Sequence, residues 1–184
     1  PAIVIGLHIT KCAGTALAVA VQDALPKGDA YLCSSFWNNY IAGHEDFCER
    51  DPQRVRFIFG HYVHESLLSL YGTRSQLLIV GLREPRERAV SEYYQICKVR
   101  SGAGQEPISA EEYFRLRPNS MCVEFIRAFP SVTRPGEELA QSAIRIASLF
   151  DLIYDDREIE SASAMVADAL NIELGALPRY NVRW

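Results

Sequence analysis

The chain has 184 residues, 48% of them apolar and 23% charged, with a formal net charge of −4. That length suits a single domain, residues 1–184, with a real core, and the acidic balance (pI about 5.6) speaks against a nucleic-acid coat, whose bulk electrostatic term would be repulsive. No apolar stretch approaches the roughly 20 residues that span a bilayer.

In chain order, the opening Pro1-Ala2-Ile3-Val4-Ile5 reads as a strand and not as a charged signal-peptide head. Strands are expected at Ala2–Ile9, Ala30–Cys33, Val55–Gly60, Leu77–Leu82 and Leu149–Tyr154, all apolar and rich in β-branched residues. Helical patterns lie between and after them: Ala13–Leu25, ended by Pro26 and Gly28; Pro85–Val99, with Pro85 suited to a first turn; then Glu111–Leu116, Ser120–Phe129, Gly136–Ser148 and Arg157–Leu170. Residues 98–107, KVRSGAGQEP, read as a flexible loop carrying Lys98 and Arg100. Apolar strands alternating with helices predict an α/β fold, a three-layer sandwich around a mostly parallel sheet. The five cysteines, Cys12, Cys33, Cys48, Cys97 and Cys122, are an odd count with no CxxC pair. That pattern argues against a zinc site and against a complete disulfide framework. A single Cys33–Cys48 bridge stays open. Reduced thiols in a cytoplasm are the expectation, with a Golgi lumen the alternative if an upstream anchor has been removed.

In parallel sheets, ligands bind beyond the carboxyl ends of the strands, and three polar stretches fall there: after Ile9, after Gly60 and after Leu82. The first is the loop in GLHITKCAGTALAVAVQDAL, residues 6–25. Small residues there let backbone N–H groups approach an anion, and the following helix adds free amides and its positive dipole end. Lys11 supplies a point charge and Thr15 a hydroxyl. The spacing is not that of a Walker A loop: Lys11 stands where the second glycine belongs, and Cys12 follows it where Ser or Thr would bind magnesium. An ordinary strand-to-helix turn with an exposed lysine is the competing reading. The second stretch with chemistry is LIVGLREPRERAVSEYYQ, residues 78–95. Arg83 at a strand end suits bidentate contact with a phosphate, and Ser91 lies about two turns into the next helix. A solvated charged face, with Glu84, Glu87 and Glu92 pairing the arginines, is equally available.

Together the two stretches resemble the PAPS-dependent sulfotransferases, above all the carbohydrate group and the heparan sulfate 2-O-sulfotransferase-like and bacterial enzymes. HITKCAGTAL is similar to that family's HxxKxxGT-type 5′-phosphosulfate loop. LREPRERAVSEYY is similar to its 3′-phosphate motif, R-x-P-x-x-R-x-x-S-x-Y-Y. NSMCVEFIRAF, SLFDLIYDDREIESASAMVADALNI and LPRYNV resemble its later segments. The resemblance implies a P-loop NTPase-like fold and transfer of the sulfuryl group from PAPS to a hydroxyl, leaving PAP, with no metal. It implies that Lys11, Cys12, Ala13, Gly14, Thr15 and Ala16 cradle the 5′ group and that Arg83 and Ser91 hold the 3′-phosphate. Cys12 departs from the Thr common at its place, which removes one hydroxyl.

An attacking hydroxyl needs a base, and histidine titrates in the right range. In FIFGHYVHE, residues 57–65, His61 follows Gly60 directly and resembles the family's catalytic GH element; His64 and Glu65 are the near alternatives. His8 is expected to be structural or a loop partner, and His44 to touch acceptor. Trp37, Tyr40 and Phe47 are read either as sugar-stacking residues or as core. The expected partner is a hydroxyl acceptor, a glycan or a small molecule, with no nucleic acid and no membrane span. Two other readings stand beside this one: a P-loop-type phosphotransferase, and a non-catalytic module that keeps the PAPS fold.

Overall fold

The computed structural model describes residues 2–33 and 53–178. Five strands, β1 (Ile3–Leu7), β2 (Ala30–Cys33), β3 (Phe57–Gly60), β4 (Gln76–Leu82) and β5 (Leu152–Asp155), form one sheet in the order β2-β3-β1-β4-β5. Every pairing is parallel. The helices among the described residues are α1 (Gly14–Ala24), α2 (Ser66–Leu70), α3 (Pro85–Gly102), α4 (Ala110–Leu116), α5 (Ser120–Ala128), α6 (Leu139–Ala147) and α7 (Ile159–Leu170), with a 3-10 turn at Pro130–Val132.

The unbroken apolar run of β1 has its cause in this arrangement. All five of its residues are buried, because both faces of a parallel sheet are covered. Ile3, Ile5 and Leu7 face one core with Leu67 of α2, Phe125 of α5 and Ile146 of α6. Val4 faces the other core with Leu17 and Val21 of α1 and Val166 of α7. In the first core Phe150 takes Phe125 and Phe129 edge-on at 5.8 and 5.5 Å, a geometry worth about 0.5–1.5 kcal/mol per pair beyond burial.

The expected α/β sheet is present, with corrections at its edges. β5 begins at Leu152, not Leu149: Leu149 and Phe150 close α6 by bonding Ile146 O and Ala147 O at 3.0 and 3.1 Å. The helix expected from Gly136 begins at Leu139, since Gly136 itself adopts a left-handed φ of 77°. α3 runs to Gly102, so the first half of the expected loop 98–107 is helical. Arg100 Nε donates to Glu106 O at 2.7 Å and closes the turn behind it. The short α2 went unread, having too few residues to display a helical period. Cys48, Trp37, Tyr40, His44 and Phe47 lie outside the described residues, as does much of LPRYNV. Among the described residues no helix is long and apolar enough to cross a membrane.

From β1 the chain leaves through α1 toward β2; from β4 it leaves through α3 to α6 toward β5 on the other side. β1 and β4 are hydrogen-bonded neighbours, so their connections part company there. Such a switch point opens a crevice beyond the carboxyl ends of the two strands.

Candidate active site at the switch point

The chain passes from β1 into α1 through two left-handed residues that are not glycine, Lys11 at φ 67° and Ala13 at φ 59°. Such conformations persist only when the surroundings over-determine them. Thr10 supplies the constraint. Its N–H and hydroxyl both donate to Glu124 Oε2 of α5, at 3.0 and 3.3 Å, and its carbonyl accepts from Arg88 of α3 at 3.1 Å. Arg88, with 3% of its side chain exposed, also donates to Ser120 Oγ and pairs with Glu92 at 3.0 Å; Glu92 in turn holds Arg117 at 2.9 Å. A buried polar network thus anchors the loop from behind.

The loop's outer side is open to a ligand. Ala13 gives α1 no side-chain cap, so the first-turn amides of Gly14, Thr15 and Ala16 have no intrahelical partner. Gly14 has no room for a side chain: a Cβ there would lie 2.7 Å from both His8 Cδ2 and Phe59 Cζ. Cys12 differs from the rest of the stretch. Its side chain is fully buried in the core, its N–H donates to Ile9 O at 3.2 Å, and burial pushes its thiol up to about 12. The small residue after the lysine therefore packs inward.

Arg83 stands one residue past β4, paired with Glu87 at 3.3 Å and Asp156 at 3.4 Å. The charged-face reading of the sequence is thus realised for Arg83, and for Arg88 in buried form. Lys11 and Arg83 are close enough to repel. Lys11 is held below the usual lysine range first by burial and then by the Arg83 charge, with Glu92 pulling the other way. Lys11 and Arg83 thus bring two cations to the ends of adjacent strands, with Glu87 and Asp156 beside Arg83. Ser91 lies half-buried on α3, sharing a helix face with Arg88 three residues earlier.

His61 follows β3, the other neighbour of β1. Its N–H donates to Cys33 O at 3.0 Å, and Nδ1 lies 2.6 Å from His8 O. A carbonyl can only accept, so Nδ1 carries the proton and Nε2 holds the free lone pair. The two alternatives are committed elsewhere. His64 Nδ1 accepts from Ser66 N–H at 3.2 Å at the start of α2, which leaves its proton on Nε2. Glu65 accepts from Ser131 Oγ at 2.7 Å and Ser131 N–H at 3.2 Å, tying β3's exit to the 3-10 turn.

Sequence reasoning quoted Arg88 and Glu92 but assigned them no place at the site, and it missed Glu124, Ser120 and Asp156 altogether. The i, i+4 spacing of Arg88 and Glu92 was the one available signal, and spacing does not separate a buried pair from an exposed one. Among the described residues no three His, Cys, Asp or Glu side chains gather as a metal site would. No protein-family model matches the chain, and no curated protein matches it.

Proposed function

We propose that the protein is a sulfotransferase that moves the sulfuryl group of PAPS to a hydroxyl by in-line displacement. The observation that carries this reading is the pairing of Lys11 and Arg83 at the ends of adjacent strands. Two neighbouring cations, one at each strand end, suit a donor that carries two anionic groups. The parallel order β2-β3-β1-β4-β5, with a loop and helix directly after the central strand, supports reading the sheet as P-loop-like. The uncapped first turn of α1 leaves amides available to an anion, and the absence of a side chain at Gly14 lets α1 start close against His8 and Phe59. The donor, when bound, supplies the activated sulfur.

In this reading Lys11 and the amides of Gly14, Thr15 and Ala16 stabilise the charge that grows on the leaving phosphate oxygen. Arg83 and Ser91 hold the 3′-phosphate and contribute remote binding that orients the donor. His61 accepts the acceptor's proton at Nε2, with Nδ1–H fixed on His8 O. Cys12 contributes backbone shape and core packing. A phosphotransferase reading is served less well: no hydroxyl follows the lysine, and the strands flanking β1 end in His61 and Arg83. The acidic pair Asp155–Asp156 sits one strand further away, held by Arg157 and Arg83.

Calorimetric titration with adenosine 3′,5′-bisphosphate, beside ATP with magnesium, tests the proposal. Binding of the bisphosphate that weakens at least tenfold in Arg83→Ala supports it. Binding of ATP with magnesium alone overturns it in favour of a phosphotransferase. Bisphosphate binding without sulfotransfer to any hydroxyl in a broad acceptor screen would point to the non-catalytic module.

A further inference from the structure

On the face of the sheet that meets α1, β3 presents Phe57 and Phe59, and the chain continues in phase to His61. β1 presents Val4, Gly6 and then His8. The register pairs Leu7 with Gly60, so His8 and His61 are the next cross-strand pair, and His8 N–H extends the ladder to Gly60 O at 2.9 Å. The rings form a column. Phe57 stacks on Phe59 at 5.7 Å, Phe59 meets His8 at 5.3 Å, and His8 stacks on His61 at 4.2 Å with planes 16° apart. Gly6 makes the column possible, since a Cβ there would lie 2.1 Å from Phe59 Cδ2. The same His8 ring faces Gly14, the first residue of α1.

We infer that His8 is a positioning residue that ties the imidazole of His61 to the start of α1, fixing the base and the anion loop relative to each other through one ring. This inference rests on the proposed roles of those two elements. Three contacts support it. The His8 ring covers one face of the His61 imidazole, the His8 carbonyl takes the His61 Nδ1 proton, and the edge of the His8 ring closes on the Gly14 backbone. Burial, and secondarily His61, hold His8 down at about 3. It therefore stays neutral. The charged group bonded to His61 is the Arg127 guanidinium, on the carbonyl oxygen at 2.9 Å; Lys11 lies on the loop beyond.

The test uses 15N-labelled protein. Long-range nitrogen–proton correlations of the histidine rings report the tautomer of His61, amide resonances report Gly14 and Thr15, and calorimetry reports the affinity for inorganic pyrophosphate. In the wild type His61 is expected as a single Nδ1–H tautomer. His8→Ala keeps the main-chain carbonyl that bonds Nδ1 but loses the ring, so the His61 ring signals are expected to shift, with displaced Gly14 and Thr15 amide signals and an affinity at least fivefold weaker. His8→Phe, which keeps a ring, is expected to hold all three near wild type. Unchanged His61 and amide signals in His8→Ala would overturn the inference, and so would a His8→Phe protein that behaves like His8→Ala. If His8→Ala does not fold, His8→Phe decides against the wild type by the same signals. A wild type that binds neither pyrophosphate nor adenosine 3′,5′-bisphosphate would sink the functional proposal, while the ring and amide signals still judge His8.

Discussion

Arg88 of α3 donates to the carbonyl oxygen of Thr10 at 3.1 Å across 78 residues of sequence. That bond, with the two that Thr10 gives to Glu124, fixes the residue just before the left-handed Lys11. The strain of the lysine loop is thus borne by α3 and α5, helices distant from it in sequence.

Removing Arg88 should therefore do two things. Arg88→Met leaves Glu92 buried with the half-exposed Arg117 as its remaining ion-pair partner among the described residues, and it removes the guanidinium bonds to Thr10 O and Ser120 Oγ. Breaking a buried pair by one member costs about 3–5 kcal/mol, and the surviving Arg117 bond places this variant near about 3 kcal/mol. Urea denaturation measures it. Adding Glu92→Leu should recover part of the loss, because the uncompensated charge goes with it. A double variant less stable than the single would contradict the buried-pair account.

Gly60 should not tolerate alanine. Its Cβ would lie 2.1 Å from Cys33 O, a backbone atom of the neighbouring strand, so β2 must shift or the ladder must break. Overpacking of this kind costs about 1–3 kcal/mol where side chains give way, and rigid backbone places Gly60→Ala at the upper end. The same shift would break the His61 N–H bond to Cys33 O. Thermal unfolding of Gly60→Ala beside Gly14→Ala, whose clashes are with side chains, should show the larger drop at Gly60.

The pH profile follows from the groups held uncharged. His8 is depressed to about 3, so the unfolded state binds its proton first as pH falls. The stability His8 contributes is complete above about 6.5 and is lost between there and about 3. Cys12 and Tyr113 are each pushed up to about 12, chiefly by burial, and Tyr154 is raised by the same cause. The unfolded thiol and phenols ionise first as pH rises, so stability falls from about 9 upward. Urea midpoints measured from pH 4 to 11 should peak between about 7 and 9. Cys12→Ala should flatten the alkaline limb and His8→Phe the acidic one.

Glu87 pairs with Arg83, and in the proposed function it competes there with the 3′-phosphate. Glu87→Gln removes the competing charge from an exposed position and should tighten adenosine 3′,5′-bisphosphate by a few fold at low salt, with the gain fading as salt screens the site. Weaker binding in this variant would mean that Glu87 orients Arg83 instead of blocking it.

The sheet was legible because buried parallel strands are continuous apolar runs, and β2 was read to the residue. The ends of elements were not, since Leu149 and Phe150 are as apolar in a turn under the core as they would be in a strand. The positions of the lysine loop and of Arg83 just past strand ends could be read from the sequence because the apolar runs stop there. The Thr10–Arg88–Glu124 anchor could not, because it joins residues 10, 88 and 124, and no local pattern records a contact over such separations. His8 was expected to be structural or a loop partner; that it bears on a second histidine is a matter of strand register, invisible before the pairing of Leu7 with Gly60 is known.

The lysine loop, the candidate base and Arg83 hang from β1, β3 and β4, with β1 paired to both of the others. Parallel strands pair only once the chain between them has crossed over, so the three strand ends meet only when both flanking strands have docked on β1. Any molecule that binds there would report on the whole sheet, slowing amide exchange in the core strands as much as in the loops it touches.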